Sequence, residues 1–133
     1  MSGFSSFSKK NADMFYLIFR ILVGVLFLQH GLQKVGLLDG TFAVEGFLGF
    51  IGLCELAGGA AILLGFWTRL AALLGAILLI GAYATKHMGN GLLPIENRGE
   101  LALLYVACFL ILIVHGAGKV AVLEKALTKK EMF

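Results

Sequence analysis

Charge is scarce in this chain. Only 14% of its 133 residues are Asp, Glu, Lys or Arg, while 59% are hydrophobic. A soluble domain of this length is nearer a quarter charged, so the composition excludes a soluble globule and selects a membrane protein. Proline is nearly absent. The single Pro94 lies in a polar stretch, so no apolar run is broken by a residue that lacks an N–H. Cysteine is sparse as well. Cys54 and Cys108 stand in separate apolar runs with neither CxxC nor zinc-site spacing, and packed small apolar residues account for them better than a dithiol pair. A net charge of +3 is too small and too dispersed for a nucleic-acid partner. No P-loop, nucleophile elbow or metalloprotease motif is present, and no metal site is expected.

Glycine is abundant, with 18 residues, most of them inside apolar runs. Such residues let membrane helices approach closely. The central stretch Cys54–Gly75 combines them with an acid. Glu55 is followed by Ala57, Gly58, Gly59, Ala60 and Ala61, the run breaks at Phe66-Trp67-Thr68-Arg69, and a second apolar run begins. Two helices joined by about four residues lie antiparallel and in contact. A lone acid in hydrocarbon is costly, so Glu55 faces protein.

The fold expected is all-α: a polytopic membrane protein built as a four-transmembrane-helix bundle. Residues 1–13 form a polar cytoplasmic lead, without the apolar core and cleavage site of a signal peptide. The membrane domain covers 14–118, with helices at about 14–34, 42–66, 69–87 and 99–116. Residues 119–133 form a basic cytoplasmic tail. Thr68 is placed as the cap of the third helix, and Asn97 with Glu100 makes a capping-box-like start for the fourth. With the N-terminus inside, Lys9, Lys10, Arg69, Lys119, Lys125, Lys129 and Lys130 lie on the cytoplasmic side. Lys34, Lys86 and Arg98 lie outside, so both termini are assigned to the cytoplasm.

At 100° per residue, Arg20, Gly24, Phe27, Gly31 and Lys34 share one stripe of the first helix, with His30 on its flank. Gly52, Glu55, Gly58 and Gly59 share a face of the second. An axial offset of roughly 7 Å, counted from the expected helix ends, suggests that Arg20 and Glu55 form a core ion pair. His30, Lys34, Lys86, His87 and Glu100 come out at one depth near the outer surface. If they converge, they form a cationic site suited to a quinone head group or a small anion. Haem ligation by His30 and His87 is the weaker reading, and helix-end residues snorkelling to the interface is the competing one.

These pieces resemble one family. Arg20, Gly24, Phe27, His30-Gly31 and Lys34 are similar to the first helix of the DoxX family. Glu55-Leu56-Ala57-Gly58-Gly59, Leu64-Gly65 and Thr68-Arg69-Leu70-Ala71-Ala72 resemble its central signature, and His87 and Gly99-Glu100-Leu101-Ala102 also fit. Gly116-Ala117-Gly118-Lys119 keeps the first half of the family's usual end to the fourth helix, whereas Ala121-Val122-Leu123 departs from the second half. The resemblance implies a four-helix protein of a prokaryotic cytoplasmic (inner) membrane. It also implies a quinone- or thiol-redox-linked role, as a subunit of a quinone-linked oxidoreductase such as a thiosulfate:quinone enzyme. The partners it suggests are membrane lipid, a redox enzyme and, as a homo-oligomer, further copies of the chain. A non-enzymatic scaffold for such a complex is the competing class, and a small-solute carrier a third, disfavoured because four short helices leave little room for alternating access.

Overall fold

Residues 2–119 are described by a computed structural model, and among them every regular element is helical. The first, α1 (Gly3–Lys10), starts where the Ser2 hydroxyl accepts the Ser5 N–H at 3.3 Å. It ends at Asn11, whose side chain donates to the Phe7 carbonyl at 2.8 Å. The polar lead is therefore a short helix, with Phe4 and Phe7 on one face and Lys9 and Lys10 in its last turn. A long unbroken helix follows, α2 (Ala12–Lys34), whose buried stripe is Arg20, Val23, Gly24, Phe27 and Gly31.

The next helix, α3 (Gly46–Leu64), starts later than the apolar run suggests. Gly36 and Gly40 adopt left-handed conformations at φ 72° and 74°, and Thr41 N–H closes onto the Gly36 carbonyl at 3.0 Å. These turns hold the chain in a loop through extended Glu45, so residues 42–45 stay outside the helix. α3 ends at left-handed Gly65, where Phe66 N–H reaches back to the Ala61 carbonyl at 2.8 Å. Trp67, also left-handed at φ 47°, turns the chain into α4 (Thr68–Ala82). Thr68 is the first residue inside α4 and not its cap; its buried hydroxyl makes no side-chain cap bond.

Beyond Ala82 the helix widens into a π turn, Tyr83–His87, and then tightens into a 3-10 turn, Met88–Asn90. Pro94 opens the one-turn α5 (Pro94–Asn97), and Arg98 at φ 60° redirects the chain into α6 (Glu100–His115). The tail assigned to 119–133 lies, after Lys119, outside the described residues; Lys119 itself pairs with Asp13 at 3.1 Å.

Three of these helical runs, Ala12–Lys34, Gly46–Leu64 and Thr68–Asn90, are long and apolar enough to cross a membrane. At 16 residues α6 is equally apolar but about 24 Å long, short of the ~30 Å hydrocarbon core.

The bundle is two tight pairs. Along most of its length α2 packs on α3, and α4 on α6, while contacts between α3 and α4 are sparse despite their short connection. Glycine makes both close pairings. A Cβ on Gly59 would stand 2.5 Å from the Leu28 backbone nitrogen, and one on Gly31 would stand 2.6 Å from the Gly52 carbonyl oxygen. On the other side Gly75 receives the Phe109 ring, which a Cβ would meet at 2.7 Å. The pairs are joined by an aromatic cluster. Phe27 of α2 lies 5.0 Å from Phe109 and 5.7 Å from Tyr105, both on α6.

Candidate functional site

Glu55 is the polar group around which the site is built. Its side chain is 3% exposed, among the small residues that bring α3 against α2. Lys34, the last residue of α2, donates to its Oε1 at 2.5 Å. A cation there also suits the carbonyl end of α2. The other carboxylate oxygen, Oε2, is buried without a hydrogen-bond partner among the described residues. Tyr105 stands within electrostatic reach of Glu55. The His30 ring meets Tyr105 edge-on at 5.7 Å, and Phe27 packs on the same ring. One acid, one cation, a phenol and an imidazole thus gather where α2, α3 and α6 meet.

Arg20 does not pair with Glu55. Contacts of Gly24 with Leu63 and Gly59, and of Gly31 with Leu56, fix the antiparallel register. They set Glu55 opposite residue 32 or so and Arg20 opposite Gly65. The axial separation of Arg20 and Glu55 is therefore about 15–18 Å, too far for an arginine side chain. The smaller offset followed from taking the expected inner ends, residues 14 and 66, as level, whereas Gly65 at the end of α3 stands opposite Arg20. Arg20 is fully buried against Gly65 and donates from Nη1 to the Ala117 carbonyl at 2.6 Å. Tyr16, one turn earlier, donates to the Gly116 carbonyl at 2.5 Å and packs on His115. Both side chains satisfy carbonyls at the end of α6, where a positive charge is favoured.

The five residues assigned to one pocket do not converge. His30 and Lys34 stand with Glu55. His87 belongs to a second group, its Nδ1 3.0 Å from the Asn97 carbonyl and its ring stacked on Tyr83. Asn97 locks that group: its amide donates to the Tyr83 hydroxyl and the Gly91 carbonyl, each at 3.1 Å, and its Oδ1 accepts Gly99 N–H at 2.8 Å. That last bond spans two residues, so Asn97 closes a local turn and not a capping box with Glu100. Lys86 and Glu100 are exposed on the surface of the bundle. No hydrogen bond, ion pair or ring contact links the two groups among the described residues. Among them there is also no group of three or more His, Cys, Asp or Glu residues placed to hold a metal ion.

Sequence reading missed Tyr105. A phenol one turn before Phe109 in an otherwise apolar helix was the available signal. A cleft of about 660 Å³ opens between α3 and α4, with Phe27 at its back and Cys54 in its wall. Cys54 and Cys108 are both free thiols.

The family model for DoxX matches residues 15–88, more than half of the chain. The chain belongs to the DoxX family. The match runs from α2 through the π turn, so it takes in Arg20, His30, Lys34, Glu55, Lys86 and His87 and leaves Asn97, Glu100 and Tyr105 outside. Among curated relatives, an uncharacterized protein of Haemophilus influenzae is 35% identical over 130 residues, covering 91% of this chain and 97% of the relative. A Bacillus subtilis protein named "Putative oxidoreductase CatD" is 34% identical over 93 residues, covering 61% of this chain and 69% of that protein. No solved structure matches the chain at a significant level. With three spanning runs, this DoxX chain is a membrane protein.

Proposed function

We propose that this chain is a membrane subunit of a quinone-linked redox assembly in a prokaryotic cytoplasmic membrane, with its head-group site at Glu55, Lys34, His30 and Tyr105. In this reading α6, lengthened by the buried Gly116-Ala117 turn, makes a fourth crossing, and both termini face the cytoplasm. The charge distribution supports that orientation, with seven cations on the assigned inner side against three outside.

The observation that carries the proposal is the unpartnered Glu55 Oε2. A buried carboxylate oxygen without a donor is costly and calls for one. Because Lys34 already neutralises the acid, the complement is a neutral O–H donor, as on a hydroquinone. Tyr105, a donor itself, suits the carbonyl of the oxidised form. A free small anion fits less well, since the one cation in the cluster is engaged. His30, half-buried at the edge of the cluster, is positioned to pass protons. The Bacillus relative's name adds support for redox work.

Binding of a water-soluble quinol analogue to purified protein tests this. Glu55→Gln and His30→Ala should each weaken binding about tenfold or more, the effect of losing one charge-assisted bond. His87→Ala should leave it unchanged. Equal affinity in all four proteins overturns the head-group site. The scaffold reading has its own observation: His87 and Asn97 are engaged in holding the loop, and Lys86 and Glu100 are exposed on the bundle surface. It would stand if the analogue does not bind.

A further inference from the structure

The short first helix carries two phenylalanines that the bundle core does not use. In α1 Phe4 is 80% exposed and Phe7 52%. At 100° per residue they lie about 60° apart, so they make one apolar edge on an otherwise serine-rich helix. Lys10 lies about 90° from the middle of that edge, on its flank, and Ser6 about 130° away, on the opposite face. Ser5 is the one residue of α1 that is partly covered, and it too lies about 130° from the edge. The protein therefore touches α1 on its serine side and leaves the phenylalanine side open.

The bend at Asn11 decides where that side faces. Asn11 leaves helical geometry at φ −107° and ψ 14°. On a straight helix Phe7 and Phe15 would stand about 12 Å apart along the axis. Their rings instead meet edge-on, 6.2 Å apart. The chain is therefore folded over at Asn11 toward the side that carries Phe15. Phe15, with Met14 and Ile18, makes an exposed apolar wall of α2, away from the buried stripe that holds Arg20. Because α2 is long and apolar enough to span the membrane, that wall faces lipid, and the apolar edge of α1 is continuous with it. The water boundary falls at the same level. Asp13 and Lys119, paired at 3.1 Å and both largely exposed, stand within one turn of the end of α1, and such charges stay out of hydrocarbon.

We propose that α1 is an interfacial helix that docks on the bilayer surface and binds anionic lipid head groups. Phe4 and Phe7 enter the boundary between head groups and acyl chains, while Ser6 faces water. Lys10, on the flank, lays its methylene stem along the apolar side and brings its ammonium to the phosphate level. That positive charge favours anionic over zwitterionic lipid. Eight residues hold a membrane weakly by themselves, but α2 keeps α1 at the surface, so a small affinity suffices. The surface stands at the opposite end of α2 from Lys34, so it does not depend on the ligand of the Glu55 cluster.

Electron paramagnetic resonance of the full chain, reconstituted in bilayers, tests this. Nitroxide labels are placed through Phe4→Cys or Ser6→Cys in a Cys54→Ala/Cys108→Ala background. In phosphatidylcholine bilayers that contain phosphatidylglycerol, the label at position 4 should be reached by oxygen and shielded from an aqueous nickel chelate. The label at position 6 should show the reverse. Lys10→Gln should lower the ratio of docked to released α1, read from the two components of the position-4 spectrum, by about fivefold in those bilayers, the effect of one basic residue at an anionic surface. In pure phosphatidylcholine it should change nothing. Equal access of the chelate to both labels places α1 in water and overturns the proposal. A position-4 label shielded from both reagents shows that protein covers the edge, either the C-terminal segment or a second copy, and overturns it equally. A Lys10→Gln effect that is absent from the anionic bilayer, or the same in both, overturns the recognition of anionic lipid.

Discussion

Glu55 sits at 3% exposure and its partner Lys34 at 28%, so the pair is buried at one end and open at the other. Removing one partner of such a pair leaves an uncompensated charge, at a cost toward the lower end of the ~3–5 kcal/mol range because Lys34 retains some solvent. Glu55→Gln and Lys34→Met should each destabilise the protein by about 3 kcal/mol, and the double variant by much less than the sum. Arg20→Met combined with Glu55→Gln should instead be additive, since about 15–18 Å and different partners separate them. Thermal unfolding in detergent, arranged as two double-mutant cycles, checks both. The sequence made Glu55, Lys34 and Arg20 all legible as inward-facing, because periodicity assigns each to a stripe. It could not say which cation meets the acid, because periodicity gives a face and not a depth. The depth came from the glycine contacts across the helix pair. Likewise His87 looked like a ligand-site residue because it shared a level with His30. Its actual neighbours are set by the Asn97 turn, whose hydrogen bonds span up to fourteen residues and leave no periodic trace.

At the scale of the elements, the glycines divide by what faces them. Gly31 and Gly59 touch the backbone of the opposing helix, where nothing can move aside for a methyl group. Gly31→Ala and Gly59→Ala should each cost about 2–3 kcal/mol, as overpacking does when the neighbour is rigid. Gly81 in α4 has open space where its Cβ would be, so Gly81→Ala should be neutral or stabilising by up to about 1 kcal/mol. Helix content and thermal midpoints of the three variants distinguish these outcomes. The apolar helices were readable as runs of hydrophobic residues without proline. Their limits were less so. The late start of α3 depends on positive φ angles at Gly36 and Gly40, and the π turn at Tyr83–His87 holds no proline or glycine that would mark it. The α3–α4 cleft was hidden because a short connection predicts contact, and only the packing of each helix on another partner shows that they diverge.

For the whole molecule, orientation is the property open to the most direct measurement. In a Cys54→Ala/Cys108→Ala background, a cysteine at Asn90 should react with an impermeant thiol reagent on sealed cells, and one at Ser8 only after lysis. The reverse pattern overturns the assignment of the N-terminus to the cytoplasm. The fastening of α2 to the end of α6 bears on how the protein is made. Arg20 emerges during synthesis 97 residues ahead of the Ala117 carbonyl that receives it. Until that carbonyl arrives, the nascent chain carries an arginine in its first apolar helix with its final acceptor not yet built, at a few kcal/mol against staying in the bilayer. A chain stopped at His115 thus has every spanning run but lacks the carbonyl that Arg20 Nη1 reaches.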